Sequence, residues 1–259
     1  MSEYISFQIE DGVAKIVLNR AQKFNSFVRE MALSLQETLT SCQNNPAVRS
    51  IYLTGNGKAF CAGQDLAEAI EDNGIELQKI VSEHYNPVIE LIRNIEKPII
   101  CAVNGVAAGA GANIALACDI TVATASASFI QAFSKIGLIP DSGGTYLLPR
   151  IIGMQKAAAY MMLGDKVSAT EAERVGMIYK VFPDETFEAD AIAIALKLAK
   201  MPTKGIGLTK KLLNESATNN LSTQLQREDD LQTIAGKTYD YNEGVSAFLE
   251  KRKPNFKGE

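Results

Sequence analysis

The first twenty residues alternate between apolar and polar positions. Tyr4 to Glu10 and Val13 to Asn19 keep a period of two on either side of Asp11–Gly12, which predicts a β-hairpin. The spacing then lengthens: Phe27, Met31, Leu35, Leu39 and Cys42 recur at helical intervals and predict one apolar helix face. Arg49 to Thr54 predicts a third strand. Residues 75–96 predict a helix with Ile80, Tyr85, Val88, Ile89, Ile92 and Ile95 on its apolar face and His84 partly exposed. Pro98 to Val103 is apolar throughout, too short for a membrane helix and typical of a strand buried on both faces. Asn104–Gly105 ends that run. Small residues then lead from Val106 to Asn113 into a helix pattern at Ile114, Leu116 and Ala117, and Ile120 to Ala123 predicts another strand.

Beyond Arg150 the strand signals thin out. Lys156 to Leu163 predicts a helix, and Ser168 with Glu171 forms a capping box that opens a short helix ending at Gly176. Met177 to Val181 predicts the last strand, and Asp184 to Lys253 is helical with breaks at Met201–Pro202 and near Gly236. The pattern describes an α/β core over residues 1–200 and a helical section over residues 201–259. That section is too short to fold well alone and is expected to pack on the core or on another subunit.

Composition changes this picture little. The chain has 259 residues and a net charge of −4, which argues against a general nucleic-acid binder. Cys42, Cys61, Cys101 and Cys118 lack metal-site spacing and sit in apolar contexts, as expected of reduced thiols in a cytoplasmic protein. No secretion signal and no membrane span are expected: Met1 to Tyr4 lacks a basic start, and the apolar stretch 99–123 is interrupted by Asn104, Asn113 and Asp119.

Candidate chemistry concentrates between Lys97 and Arg150. A strand, a glycine turn and a helix expose backbone N–H groups at a helix start, which suits a phosphate or a reaction oxyanion. A dinucleotide fold is a poor fit. Gly105, Gly109 and Gly111 come late in the chain, Asp119 comes too early after them, and none of the eight tyrosines has Lys four residues on. Close helix–sheet packing is the alternative reason for these small residues. A second glycine, Gly63, also precedes a predicted helix. Asp141 follows Leu138-Ile139-Pro140 and reads either as a helix cap or as a carboxyl whose apolar surroundings suit it to proton transfer. His84 is the only histidine, so a Ser–His–Asp site or a metal site has little support.

The motifs Ile16-Val-Leu-Asn-Arg20 with Asn25, Phe60-Cys-Ala-Gly-Gln-Asp-Leu66, Ala102-Val-Asn-Gly105 through Gly111, Cys118-Asp119 and Gly244-Val-Ser-Ala-Phe248 occur together and in order. In this the chain resembles the crotonase (enoyl-CoA hydratase/isomerase) superfamily over its whole length. The resemblance implies a crotonase-like spiral of ββα units with a C-terminal helical trimerisation region, assembled as a homotrimer or a dimer of trimers. It implies an acyl-CoA thioester substrate, with coenzyme A part of that substrate and no separate cofactor or metal. The thioester oxygen would be held by the main-chain N–H groups of Gln64 and Ala110.

Where the family's hydratases carry two glutamates, this chain has Asn113 and Phe133. Asp141 matches the acid of the family's isomerases instead, and Gln131 to Asp141 with Leu221 to Leu225 resemble the ring-epoxide isomerases of phenylacetate breakdown. The resemblance thus implies an isomerase with Asp141, Gln64 and Ala110 as its catalytic groups. Hydration and non-catalytic acyl-CoA or RNA binding are the alternatives. Asn113, Ile130 and Phe133 would line the acyl pocket, and Ala62, Asp65, Leu66 and Gly109 would also be substrate-binding. Lys23, Phe24 and Asn25 would lie near the adenine, with Phe256 and Lys257 supplied by a neighbouring subunit.

Overall fold

The computed structural model describes residues 3–70 and 75–259. β1 (Ile5–Glu10) and β2 (Val13–Leu18) form the antiparallel hairpin, turned by Asp11 and Gly12, both at positive φ. α1 (Arg29–Asn44) buries Met31, Leu35, Leu39 and Cys42, whereas Phe27 lies before the helix in an isolated bridge to Gln64. β3 (Ser50–Gly55), β4 (Ala59–Cys61) and α2 (Leu66–Ile70) follow. The helical stretch at 75–96 divides into α3 (Leu77–Lys79), a π-helical turn at Ile80–Tyr85 and α4 (Asn86–Asn94). Next come β5 (Ile99–Val103), β6 (Val106–Ala108), α5 (Ala110–Ala117), β7 (Ile120–Thr124) and β8 (Ser128–Ile130). A 3-10 turn at Ala132–Ile136 precedes α6 (Gly144–Ile152) and α7 (Met154–Leu163). β9 (Lys166–Ser168), α8 (Ala169–Arg174) and β10 (Lys180–Phe182) complete the sheets, and four helices end the chain: α9 (Phe187–Ala199), α10 (Thr203–Ser216), α11 (Leu221–Ala235) and α12 (Tyr239–Leu249).

The strands form two sheets. One has the order β1-β2-β3-β5-β7-β10, the other β4-β6-β8-β9. From β3 onward each turn of the chain gives one strand to the first sheet, a short strand to the second, and then helix. The pairs β3/β4, β5/β6 and β7/β8 are such turns, and within each sheet these strands run parallel. This is the crotonase-like ββα spiral.

Burial on both faces explains the unbroken apolar run of β5. Ile99, Cys101 and Val103 enter the core against α1, α4 and α5, while Ile100 and Ala102 pack with Tyr52, Val122 and the small face of α9 (Ala191, Ala195, Ala199). Because Cβ atoms alternate in a strand, one apolar run serves both cores.

Several expectations need correction. β4, β6, β8 and β9 have three residues each, too few to show a period, so the pattern of the chain does not predict the second sheet. The last strand begins at Lys180, since Met177 and Ile178 belong to the turn after α8 and fill the core as loop residues. The C-terminal helices have a further break at residues 217–220, where Asn220 caps α11 through Thr223 N–H. His84 is fully buried rather than partly exposed, because the π-helical turn rotates it inward. Ser168 accepts from Glu171 N–H as the capping box requires. Among the described residues no helix is long and apolar enough to cross a membrane.

Candidate active site

Two loops that follow strands of the second sheet meet at Gly63 and Gly109. Gly63 has φ 94°, and a Cβ there would lie 3.1 Å from the Ala108 carbonyl oxygen and 3.7 Å from the Ala110 nitrogen. Only a residue without a side chain fits that conformation beside that backbone. Gly109, at φ 52°, turns the chain from β6 into α5, and its N–H donates to the Ile130 carbonyl (2.9 Å). The first full helical bond of α5 runs from Asn113 N–H to the Gly109 carbonyl (3.2 Å). The Ala110 N–H, at the first helical position, therefore has no intrahelical acceptor and sits at the positive end of the helix dipole.

Across the gap, Phe27 N–H donates to the Gly63 carbonyl (2.7 Å) and Asp65 N–H donates to the Phe27 carbonyl (2.9 Å). The alternation of a parallel ladder then turns the N–H of the intervening Gln64 away from Phe27. The Gln64 side chain is held at both ends: Oε1 accepts from the Tyr85 hydroxyl (2.7 Å) and Nε2 donates to Glu68 Oε2 (2.9 Å).

α5 also carries the contact to Asp141. Asn113, fully buried one turn beyond Ala110, donates from Nδ2 to the Asp141 carbonyl oxygen (2.9 Å) and accepts at Oδ1 from Gln131 Nε2 (2.8 Å). Phe133 is buried, and a Cβ on Gly109 would lie 3.8 Å from its Cζ. Asn113, Ile130 and Phe133 thus gather around Gly109. The Asp141 carboxyl does not cap a helix: α6 is capped by Gly143 without a side-chain bond, and Gly144 N–H donates to the Asp141 main-chain oxygen (2.9 Å). Of the cap and proton-transfer readings, the cap is excluded. The carboxyl accepts from the Ser142 hydroxyl (2.8 Å), and burial pushes its pKa up against the opposing effect of that bond.

The Lys23–Asn25 segment adjoins the Ala62–Leu66 segment, since Ala62 N–H donates to the Phe24 carbonyl (3.0 Å). Lys23, Phe24, Ala62 and Leu66 are exposed along this rim. Asn25 is buried, with its carboxamide taken by Arg20 N–H and by the Asn56 and Ala59 carbonyls, so its side chain shapes the loop. Asp65 is held by Arg20 at 2.7 Å. Phe256 and Lys257 lie elsewhere. Arg49 Nη1, just before β3, donates to the Phe256 carbonyl, and Asp240 accepts from Lys257 N–H. The rim follows the opposite end of β3, about 20 Å away for a strand of this length. Within one chain these two residues do not join the site.

Sequence reasoning misses Tyr85, Glu68 and Gln131. Tyr85 reads as one more apolar position, and nothing in the spacing joins Gln131 to Asn113. Cys61, beside Gly63 N–H, is no nucleophile: burial pushes its thiol up to about 12. Among the described residues no group of three or more His, Cys, Asp or Glu side chains is placed to hold a metal.

The enoyl-CoA hydratase/isomerase family model matches residues 8–259, and the chain belongs to that family of acyl-CoA isomerases and hydratases and is an enzyme of it. The 1,2-epoxyphenylacetyl-CoA isomerase of Escherichia coli (strain K12) is 48% identical over the full length of both chains. A probable enoyl-CoA hydratase of Rhodobacter capsulatus is 42% identical over 98% of each. The crystal structure of a putative enoyl-CoA hydratase/isomerase from Mycobacterium abscessus superposes with a TM-score of 0.94 at 38% identity, covering 98% of this chain and 100% of its own.

Proposed function

We propose that this enzyme is an acyl-CoA isomerase with a single catalytic carboxylate, Asp141, and an oxyanion hole made by the N–H groups of Gln64 and Ala110. Its substrate is ring-1,2-epoxyphenylacetyl-CoA, converted to oxepin-CoA, or a 3-enoyl-CoA, converted to the 2-enoyl isomer. The observation that carries this reading is the state of Asp141: half-buried, raised in pKa and free of any capping duty, in a site where Asn113 and Phe133 supply no second carboxylate. The full-length similarity to an epoxyphenylacetyl-CoA isomerase supports the choice of substrate.

In the double-bond reaction, Asp141 removes the proton from the carbon between the thioester carbonyl and the alkene. The electron pair moves into the carbonyl, and the thioester oxygen becomes an enolate oxygen that accepts from the two amides. Each such donor is worth about 3 kcal/mol in a dry site. The protonated Asp141 then returns its proton at the far end of the conjugated system, so substrate and product have the same formula. Water is not a reactant, which suits a site lacking the glutamate pair.

CoA lies along the Lys23–Asn25 and Ala62–Leu66 rim, and no further cofactor takes part. The enzyme works in the cytoplasm as a homotrimer or dimer of trimers, in which a neighbouring copy brings Phe256 and Lys257 to the rim. The exposed Leu213, Leu221, Leu225, Ile234 and Phe248 on α10–α12 support such an assembly. Incubation with epoxyphenylacetyl-CoA, a 3-enoyl-CoA and crotonyl-CoA tests the reading. Isomer formation from either of the first two is expected. Rapid hydration of crotonyl-CoA with neither isomerisation makes the protein a hydratase.

A further inference from the structure

The Gln64 amide is the less secured of the two proposed donors. Ala110 belongs to a helix, whereas Gln64 follows a glycine at φ 94° and is pinned by main-chain bonds on its Phe27 side alone. What fixes the other side is its own carboxamide. Tyr85 donates its hydroxyl proton to Oε1 at 2.7 Å, and Nε2 reaches Glu68, whose other oxygen accepts from Arg29 N–H at 2.9 Å.

Tyr85 is itself held in place. Its ring stacks obliquely on Phe27 (centroids 5.8 Å apart, planes at 58°), the residue whose backbone brackets Gln64. It ends the π-helical turn, and Gln36 Nε2 occupies the carbonyls of Glu83 (2.7 Å) and His84 (3.1 Å) there. The side chain is buried, and that burial above all drives its pKa well above the usual phenol value. It therefore stays a donor at any pH the enzyme meets.

We propose that Tyr85 is a positioning residue for the oxyanion hole: through the Gln64 carboxamide its hydroxyl fixes the Gln64 peptide so that the N–H meets the thioester oxygen as negative charge develops there. The inference rests on the oxyanion assignment above and deepens it. A π-helical turn serves this purpose because its wider coil aims Tyr85 at Gln64 while α4 continues with its own face, Val88 and Ile92, in the core.

Tyr85→Phe removes one oxygen and keeps the ring on Phe27, so folding is preserved. Gln64→Met removes the carboxamide and keeps the peptide. Binding of acetoacetyl-CoA, whose enolate resembles the reacting thioester, is compared with binding of free CoA, and kcat and KM are measured on the isomerised substrate. Each variant is expected to weaken acetoacetyl-CoA binding and to lower kcat by about ten- to a hundredfold, with CoA binding within about threefold of wild type and KM nearly constant. The double variant is expected to be no worse than either single one, because both remove the same interaction. Wild-type affinity for acetoacetyl-CoA in Tyr85→Phe, additive losses in the double variant, or equal loss of free CoA binding overturns the proposal. The binding arm stands whichever substrate is turned over, so failure of the isomerase reading, seen as absence of isomerisation by wild type, registers separately.

Discussion

Replacing Asp141 by Asn separates the chemistry of this site from its architecture. The change leaves shape and main chain intact, so the bonds from Asn113 Nδ2 and Gly144 N–H to the residue-141 carbonyl remain, and a carboxamide oxygen can still accept from Ser142. What disappears is the ability to take a proton. Loss of a general base costs about two to four orders of magnitude, equivalent to about 3–5 kcal/mol of barrier. The stability effect has the opposite sign. Because burial raises the folded-state pKa of Asp141, the folded protein binds that proton more tightly than the unfolded chain, and stability falls as pH rises through the folded value. The wild type therefore bears a cost above that pH which the Asp141→Asn variant lacks. Thermal denaturation at neutral pH is expected to show the variant at least as stable as wild type, with its relative advantage vanishing at acidic pH, below the unfolded carboxylate pKa of about 3.9. The activity assay follows 3-enoyl-CoA conversion at saturating substrate. A variant keeping more than about a tenth of wild-type kcat refutes the base assignment, and an unfolded variant refutes the claim that the carboxyl has no structural duty.

Other perturbations probe the parts around it. Wild-type kcat/KM is expected to fall on the acid side at a pH above the usual carboxylate range, since Asp141 must be ionised to act, and Asp141→Asn abolishes that limb. Asn113→Asp removes the donor to the Asp141 carbonyl from a fully buried position and is expected to cost about 1–3 kcal/mol of stability in urea titration, with kcat reduced more than KM is changed. Gly63→Ala forces a Cβ to 3.1 Å from the Ala108 oxygen at φ 94°, and is expected to lower both the melting temperature and acetoacetyl-CoA affinity. Phe248→Asp places charge on an exposed apolar face and, under the assembly proposed above, is expected to shift sedimentation toward the monomer while the circular dichroism of the fold persists.

Much of the architecture is legible in the sequence because length and period reinforce each other there. The β1–β2 hairpin has its alternation and its turn residues, α1 its full apolar face, and β5 an apolar run that two-sided burial explains. The second sheet is not legible, because Ala59–Cys61, Val106–Ala108 and their partners are too short to carry a period. They are strands because neighbouring strands hold them, a cause outside their own residues. The same holds for the site. Asp141 and the glycines stand out as local features and are tied to the rest by family motifs, whereas Tyr85 reads as core and acquires its role only when the π-helical turn brings its hydroxyl to Gln64. His84 fails for the same reason: its burial depends on a turn the period does not encode.

The most direct test of the central claim is a crystal structure of the Asp141→Asn protein with a 3-enoyl-CoA bound. The account predicts the thioester oxygen at about 2.7–3.1 Å from both the Gln64 and Ala110 nitrogens, with the residue-141 side chain against the carbon that loses its proton. A thioester oxygen facing away from those two amides, or an acyl chain beyond the reach of residue 141, contradicts it.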